Sequence, residues 1–150
     1  MDYTDILISV RKIARAINLD SKRIQKESGF SIPQLLTLTY LGQCENYESS
    51  QLELRKYLQL NSSTVTGIIS RLIAKGFVAK LPKKEDKRST WICLTASGLT
   101  QLDLAPALFQ ERLANKLDQL SDKEVKQIEK GLKKLINLLG DDELSGAVQS

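Results

Sequence analysis

Residues Ser62–Gly98 run SSTVTGIISRLIAKGFVAKLPKKEDKRSTWICLTASG, and the order of elements they encode determines the architecture. Within Ser62 to Lys75 the large apolar residues are Val65, Ile68, Ile69, Leu72 and Ile73, the i, i+3, i+4, i+7, i+8 spacing of one buried helical stripe. The polar side carries Ser62, Ser63, Thr64, Thr66, Gly67, Ser70, Arg71 and Lys75, small hydroxyls and two cations with no acid among them. Such a face can lie close against a polyanion. Hydroxyls bond base edges or phosphates without holding the helix away, and Arg71 can read a guanine or clamp a phosphate. Taken alone, a Ser/Thr face turned to solvent is an equal reading, because these residues are poor but not rare helix formers.

The residues just before the helix add direction. Ser50-Gln51-Leu52-Glu53 is an S-x-x-E capping box that starts a short helix ending at about Leu58. A turn through Gln59, Leu60 and Asn61 delivers the chain to the second helix, with Asn61 or Ser62 as N-cap. Two short helices joined so tightly form a helix-turn-helix, whose second member enters the groove.

The residues after the helix read as a wing. Beyond Gly76, a C-cap candidate, Phe77 to Leu81 and Thr90 to Leu94 read as antiparallel strands. Between them Pro82 to Ser89 holds Lys83, Lys84, Lys87 and Arg88 against Glu85 and Asp86. A loop of that length and charge beside a helix-turn-helix can reach phosphates or the adjacent minor groove. Arg88 is the groove-inserting candidate, and Asp86 is expected to pair with a cation and hold the loop tip.

These residues together resemble the MarR family of bacterial regulators. The likeness is carried by Lys75-Gly76-Phe77-Val78, Leu81-Pro82, Asp86-Lys87-Arg88 and Leu94-Thr95-x-x-Gly98, preceded by Ser63 to Thr66 and Arg71-Leu72. The resemblance implies a homodimeric winged-helix protein that binds double-stranded DNA at pseudo-palindromic operators, usually as a repressor, and often answers to a small-molecule effector or an oxidant. It places DNA contacts on Ser62, Ser63, Thr64, Thr66, Ser70 and Arg71, with Asp86 and Arg88 as the wing pair; Lys83, Lys84 and Lys87 join them as basic wing residues. Many members carry Arg or another long polar residue where this chain has Gly67, which leaves the operator sequence open. Val10 to Ile17, Pro33 to Leu36, and Ala105-Pro106 with Gln110 to Leu113 resemble a subgroup linked to compatible-solute genes.

The flanks fit such a dimer. Ile6, Leu7, Val10, Ile13, Ala14, Ile17 and Ile24 keep helical spacing from Thr4 to Ser28, where Ser28-Gly29 stops the helix. Ser31-Ile32-Pro33-Gln34 opens a second helix with an S-x-x-Q box and an early proline, and a polar connection runs from Gly42 to Ser49. Thr95 caps one long helix carrying Leu99, Leu102, Leu108, Phe109, Leu113, Leu117 and Leu120, with a kink expected at Pro106. Ser121 to Glu124 opens a last helix that should stop near Gly140.

The fold expectation is therefore mainly α with a small β-wing, a winged helix-turn-helix at about 31–98 between dimerisation helices at about 1–28 and 99–140. The whole of 1–150 reads as a single domain with a flexible tail at 141–150. An effector pocket between the first, second and fifth helices would offer Arg15 and Tyr40 as anchors.

Composition excludes other classes. The 150 residues carry 22 Lys and Arg against 18 Asp and Glu, a net +4, so the concentration of charge in the wing is more informative than its total. With no His in the sequence, Ser/His and Cys/His pairs cannot be assembled, and G-x-x-x-x-G-K-[ST], G-x-G-x-x-G and G-x-S-x-G motifs are missing; the expectation is no enzyme, no metal and no cofactor. Cys44 and Cys93 lack metal-ligand spacing. Cys44 is the thiol to consider for redox sensing, which is one alternative function, and a winged-helix protein-interaction module is another. No apolar run reaches the ~18 residues of a membrane span, and Met1 is followed by Asp2 rather than a leader, so no membrane partner and a cytoplasmic location are expected.

Overall fold

The computed structural model describes residues 1–82 and 90–149. A helix α1 (Thr4–Ser28) and a helix α2 (Ile32–Gln43) lead through a one-turn 3-10 helix (Glu45–Tyr47) to a strand β1 (Glu48–Ser50). There follow α3 (Gln51–Leu58), α4 (Ser62–Ala74), β2 (Val78–Lys80), β3 (Trp91–Leu94), α5 (Ala96–Leu104), α6 (Phe109–Leu117) and α7 (Asp122–Gln149).

Local chemistry sets most of these boundaries. The αL conformation of Gly29, at φ 75°, closes α1. In α2 the Ser31 hydroxyl accepts from Gln34 N–H while the Gln34 side chain accepts from Ser31 N–H, so the box is complete. Ser50, Asn61 and Thr95 cap α3, α4 and α5 by accepting from Glu53, Thr64 and Gly98 N–H. Ser121 and Glu124 reciprocate at the start of α7.

The core lies under the helix-turn-helix. Leu35, Leu38 and Leu41 of α2, Leu54 of α3, and Val65, Ile68, Ile69 and Leu72 of α4 are buried together with Val78, Ile92 and Leu94 of the sheet. Ile24, Phe30 and Leu108 close the cluster from the two ends of the chain. The sheet is antiparallel in the order β1-β3-β2, with Ser49 opposite Ile92 and Ala79 opposite Cys93. The third strand, β1, falls where sequence suggests only the end of a polar connection. Three residues are too few to show an alternating pattern, and β3 supplies the partner.

Two further expectations need correction. The helix begun at Thr95 is not one kinked rod: α5 ends at Leu104, Ala105 is extended at φ −68° and ψ 143°, and α6 begins at Phe109. The Pro106 ring disfavours αR at the residue before it and removes an N–H, so the chain breaks instead of bending. At the other end, Gly140 does interrupt α7, at φ 77° and ψ 166°, but residues 141–149 go on as helical backbone where a flexible tail is expected from sequence.

The α5–α6 break is pinned by a residue more than eighty positions upstream. Leu108, the N-cap of α6, has no hydroxyl or carboxyl to offer, and the Asp20 carboxylate of α1 accepts from Phe109 N–H at 2.9 Å in its place. The same carboxylate takes Arg23 at 2.9 Å and Arg112 at 2.8 Å, with its own side chain only 4% exposed. Burial pushes this acid up, but the hydrogen bonds from Arg23, Arg112 and Phe109, with the Arg112 charge, outweigh it and hold the carboxyl below the ordinary value.

Gly98 shows the closest packing. A Cβ there would land on the Phe77 carbonyl oxygen, which already accepts from Thr95 N–H at 3.1 Å. Gly98→Ala is therefore expected to cost about 3 kcal/mol in chemical denaturation, since backbone cannot step aside as a side chain would.

Asp20→Ala is expected to lower the unfolding free energy by about 2 kcal/mol through loss of the cap and the guanidinium bonds. A depressed folded value means that this contribution is present above the ordinary aspartate value of 3.8 and lost as pH falls through the folded one. Wild type should thus lose stability more steeply than the Ala variant in acid titrations below that pH.

Candidate nucleic-acid interface

The interface is built outward from α4. Its buried stripe, Val65, Ile68, Ile69 and Leu72, seats the helix against α2, α3 and β2, which leaves the opposite side free. Ser62, Ser63, Thr66, Ser70 and Arg71 are exposed on that side, and Thr64 is half-buried at its edge. Gly67 lies near the middle of the outward face between Ser63 and Ser70, and a Cβ added there would meet only Arg71 Nη1, at 4.0 Å. The Arg71 side chain accordingly runs back toward the N-terminal half of α4, the direction in which helical side chains lean.

Several of the hydroxyls are engaged within the protein. Asn61 Oδ1 accepts from Thr64 N–H at 2.9 Å and from the Ser63 hydroxyl at 3.0 Å. Thr66 Oγ1 donates to the Ser62 carbonyl at 2.9 Å and accepts from Gln51 Nε2 at 2.8 Å. Gln51 is thus a member of this surface that sequence reading passes over, because it sits inside a capping box where only the Ser and Glu draw attention. Its own N–H donates to Thr90 O at 2.7 Å, at the foot of the wing.

The wing stems are in place. Leu81 N–H donates to Trp91 O at 2.9 Å beyond the β2–β3 ladder. Lys83, Lys84, Asp86, Lys87 and Arg88 lie outside the described residues. Behind the stems, Phe77 packs at 5.6 Å against Phe30, and the Lys75 ammonium sits 4.9 Å over the Phe30 ring. That contact draws Lys75 to the edge of the face.

A cavity of about 580 Å³ lies between α2, α5 and α6 and is lined by Leu35, Tyr57, Leu102, Pro106, Leu108 and Glu111, among others. The anchors expected from sequence are not there: neither Arg15 nor Tyr40 belongs to its lining, because α6 rather than α1 forms the far wall. Tyr40 instead stacks on Tyr57, ring centroids 4.6 Å apart, and lines a second cavity of about 420 Å³ with Cys44, Glu53 and Trp91. Burial, more than any other influence, pushes the Tyr40 phenol up. Cys44 and Cys93 are free and half-buried. Among the described residues no group of His, Cys, Asp and Glu is placed to hold a metal ion, and no helix is long and apolar enough to cross a membrane.

Residues 30–90 match the sequence model of the MarR family, and they contain α2, the helix-turn-helix and the first half of the wing. Over that stretch the chain is similar to the MarR family. Among relatives, the multiple antibiotic resistance protein MarR of Escherichia coli is 33% identical over 86 residues, 57% of this chain and 60% of that protein. The transcriptional repressor YetL of Bacillus subtilis is 26% identical over 121 residues, covering 80% of this chain and 72% of the repressor. Among solved structures, a mutant E. coli MarR complexed with operator DNA superposes with a TM-score of 0.59 at 26% identity, over 90% of this chain and 99% of that one. The alignment to E. coli MarR thus spans less than two thirds of that relative's length. MarR-family regulators are transcription factors rather than enzymes.

If Asn61 is what fixes the start of α4, Asn61→Ala should cost about 1 kcal/mol of stability while Asn61→Asp, which keeps the acceptor, stays close to wild type. Thermal unfolding of the three proteins side by side checks this.

Proposed function

We propose that this chain is a sequence-specific, double-stranded-DNA-binding transcription regulator, a homodimeric repressor whose operator affinity is modulated by a small molecule. The observation that carries the proposal is the seating of α4: Val65, Ile68, Ile69 and Leu72 buried, and the opposite face exposed, rich in small hydroxyls and free of acid. In that reading Ser62, Ser63, Thr64, Thr66, Ser70 and Arg71 meet the major groove, and Lys83, Lys84, Asp86, Lys87 and Arg88 form the wing contact. The names of the relatives, a repressor in one case and a protein complexed with operator DNA in another, support the same reading.

Pairing is suggested by the terminal helices. Ile6, Leu7, Val10, Ile13 and Ile17 of α1 and Ile128, Leu132, Ile136 and Leu139 of α7 are exposed in the single chain. Large apolar side chains exposed at helical spacing along two helices fit burial against a second subunit. A two-fold pair places its recognition helices about 34 Å apart, one turn of duplex, so that both enter successive major grooves. The cavity between α2, α5 and α6 touches the reading unit through α2 and Tyr57 and the C-terminal segment through α5 and α6. An occupant there acts by its differential affinity for two spacings of the recognition helices. The subgroup likeness makes compatible-solute genes the first promoters to footprint.

Selection from random DNA is the decisive experiment. A palindromic consensus with half-sites one turn apart is expected; recovery of no consensus sinks the proposal. On the selected duplex, log affinity should fall linearly with log salt at a slope of about −0.9 per phosphate neutralised. Arg71→Ala should weaken binding by roughly 1–3 kcal/mol on that duplex and much less on random DNA, if it reads a base.

A further inference from the structure

Three elements of the candidate interface meet at one residue that none of the motifs quoted for the family mark. Gln51 is the first residue of α3, directly after its Ser50 cap. Its backbone N–H donates to Thr90 O at 2.7 Å, which ties the start of α3 to the root of the wing. Its side-chain Nε2 donates to Thr66 Oγ1 at 2.8 Å, which ties the same point to the second turn of α4. Gln51 thereby adds a polar link between the recognition helix and the wing, which must engage one duplex together, to the packing of α4 against β2.

Hydrogen-bonding capacity at this point then assigns a second role. A hydroxyl has one proton, and that of Thr66 is given to the Ser62 carbonyl at 2.9 Å. Thr66 consequently has no donor left for a phosphate or a base. A primary amide has two N–H groups, and among the described residues Gln51 Nε2 donates to Thr66 alone. The amide is bonded to Thr66, which lies at the flank of α4 rather than at the middle of its outward face, where Ser63, Gly67 and Ser70 lie. When a helix lies in the major groove, its centre faces base edges and its flank faces a sugar-phosphate strand.

We infer that Gln51 is a phosphate-contacting residue of the DNA interface, and that its bridge to Thr66 and Thr90 positions the recognition helix against the wing. The inference rests on the DNA-binding reading above. It reassigns the contact at this point of the surface from the Thr66 hydroxyl to the Gln51 amide, with Thr66 serving to orient it.

The test uses the full chain, the duplex that wild type selects from random DNA, and a random duplex of equal length. Gln51→Glu places a carboxylate against the phosphates and is expected to weaken binding to both duplexes about tenfold or more, with the thermal midpoint unchanged. Gln51→Lys is expected to tighten binding to both and to steepen the salt slope by about 0.9, as one added phosphate neutralisation requires. Thr66→Val, which keeps the branched shape but removes the acceptor, should reproduce part of the loss. The inference is overturned if Gln51→Glu and Gln51→Lys bind as wild type does, if the loss is confined to the selected duplex, or if it appears only with a lowered thermal midpoint. Should wild type itself bind neither duplex, the DNA-binding reading falls first and this one with it; binding by wild type that both Gln51 variants preserve removes this one alone.

Discussion

A single carboxylate ties the first helix to the sixth. Asp20 is the place where α1 and α6 are joined by polar bonds, and it uses both oxygens: one takes the guanidinium groups of Arg23 and Arg112, the other the first N–H of α6. A buried acid with fewer partners would be neutral or destabilising, because desolvation of a carboxylate is costly unless its lone pairs are filled. Here they are filled from an exposed pair of arginines and a helix terminus, so the charge is kept. The arrangement fixes where α6 leaves the helix-turn-helix core.

The reading unit is held by a different kind of force. Its core is aliphatic, Leu35, Leu38, Leu41, Leu54, Val65, Ile68, Ile69, Leu72, Val78, Ile92 and Leu94, and no buried side-chain polar atom among the described residues lacks a hydrogen-bond partner. Burial of this stripe orients α4 without using any of its outward side chains. The outward face is then free to be chosen for what it touches, and at its flank Thr66 accepts from Gln51 at the start of α3.

Much of this is legible in the residues themselves. The caps at Ser31, Ser50, Asn61 and Thr95 and the αL stop at Gly29 are short-range chemistry, in which the residue type and its neighbours three or four places on decide the outcome. The buried stripe of α4 is equally local, since its period belongs to one helix. The features that sequence does not disclose are decided at long range. β1 is a strand only because β3 lies beside it; the Asp20 bond to Phe109 spans 89 positions, and the Gln51 amide finds Thr66 across 15. The break at Ala105 to Leu108 is the instructive middle case. Pro106 announces a disturbance, but whether the helix bends through it or ends depends on Asp20 being present to cap what comes next. Likewise Arg15 and Tyr40 lie outside the lining of the cavity between α2, α5 and α6, because that break puts α6, not α1, into its wall.

The same break has a mechanical corollary. Over Ala105 to Leu108 no ladder of i to i−4 bonds runs through, so torque applied to α6 is not passed stiffly along to α5 as it would be in an unbroken rod. The two segments are instead coupled through side chains, and Leu108, planted in the aliphatic core, acts as the fulcrum. A molecule wedged between Pro106, Glu111 and Leu102 would press on both arms at once. In the paired form proposed above, leverage of that kind would turn a small local displacement into a change of reach between the two α4 helices.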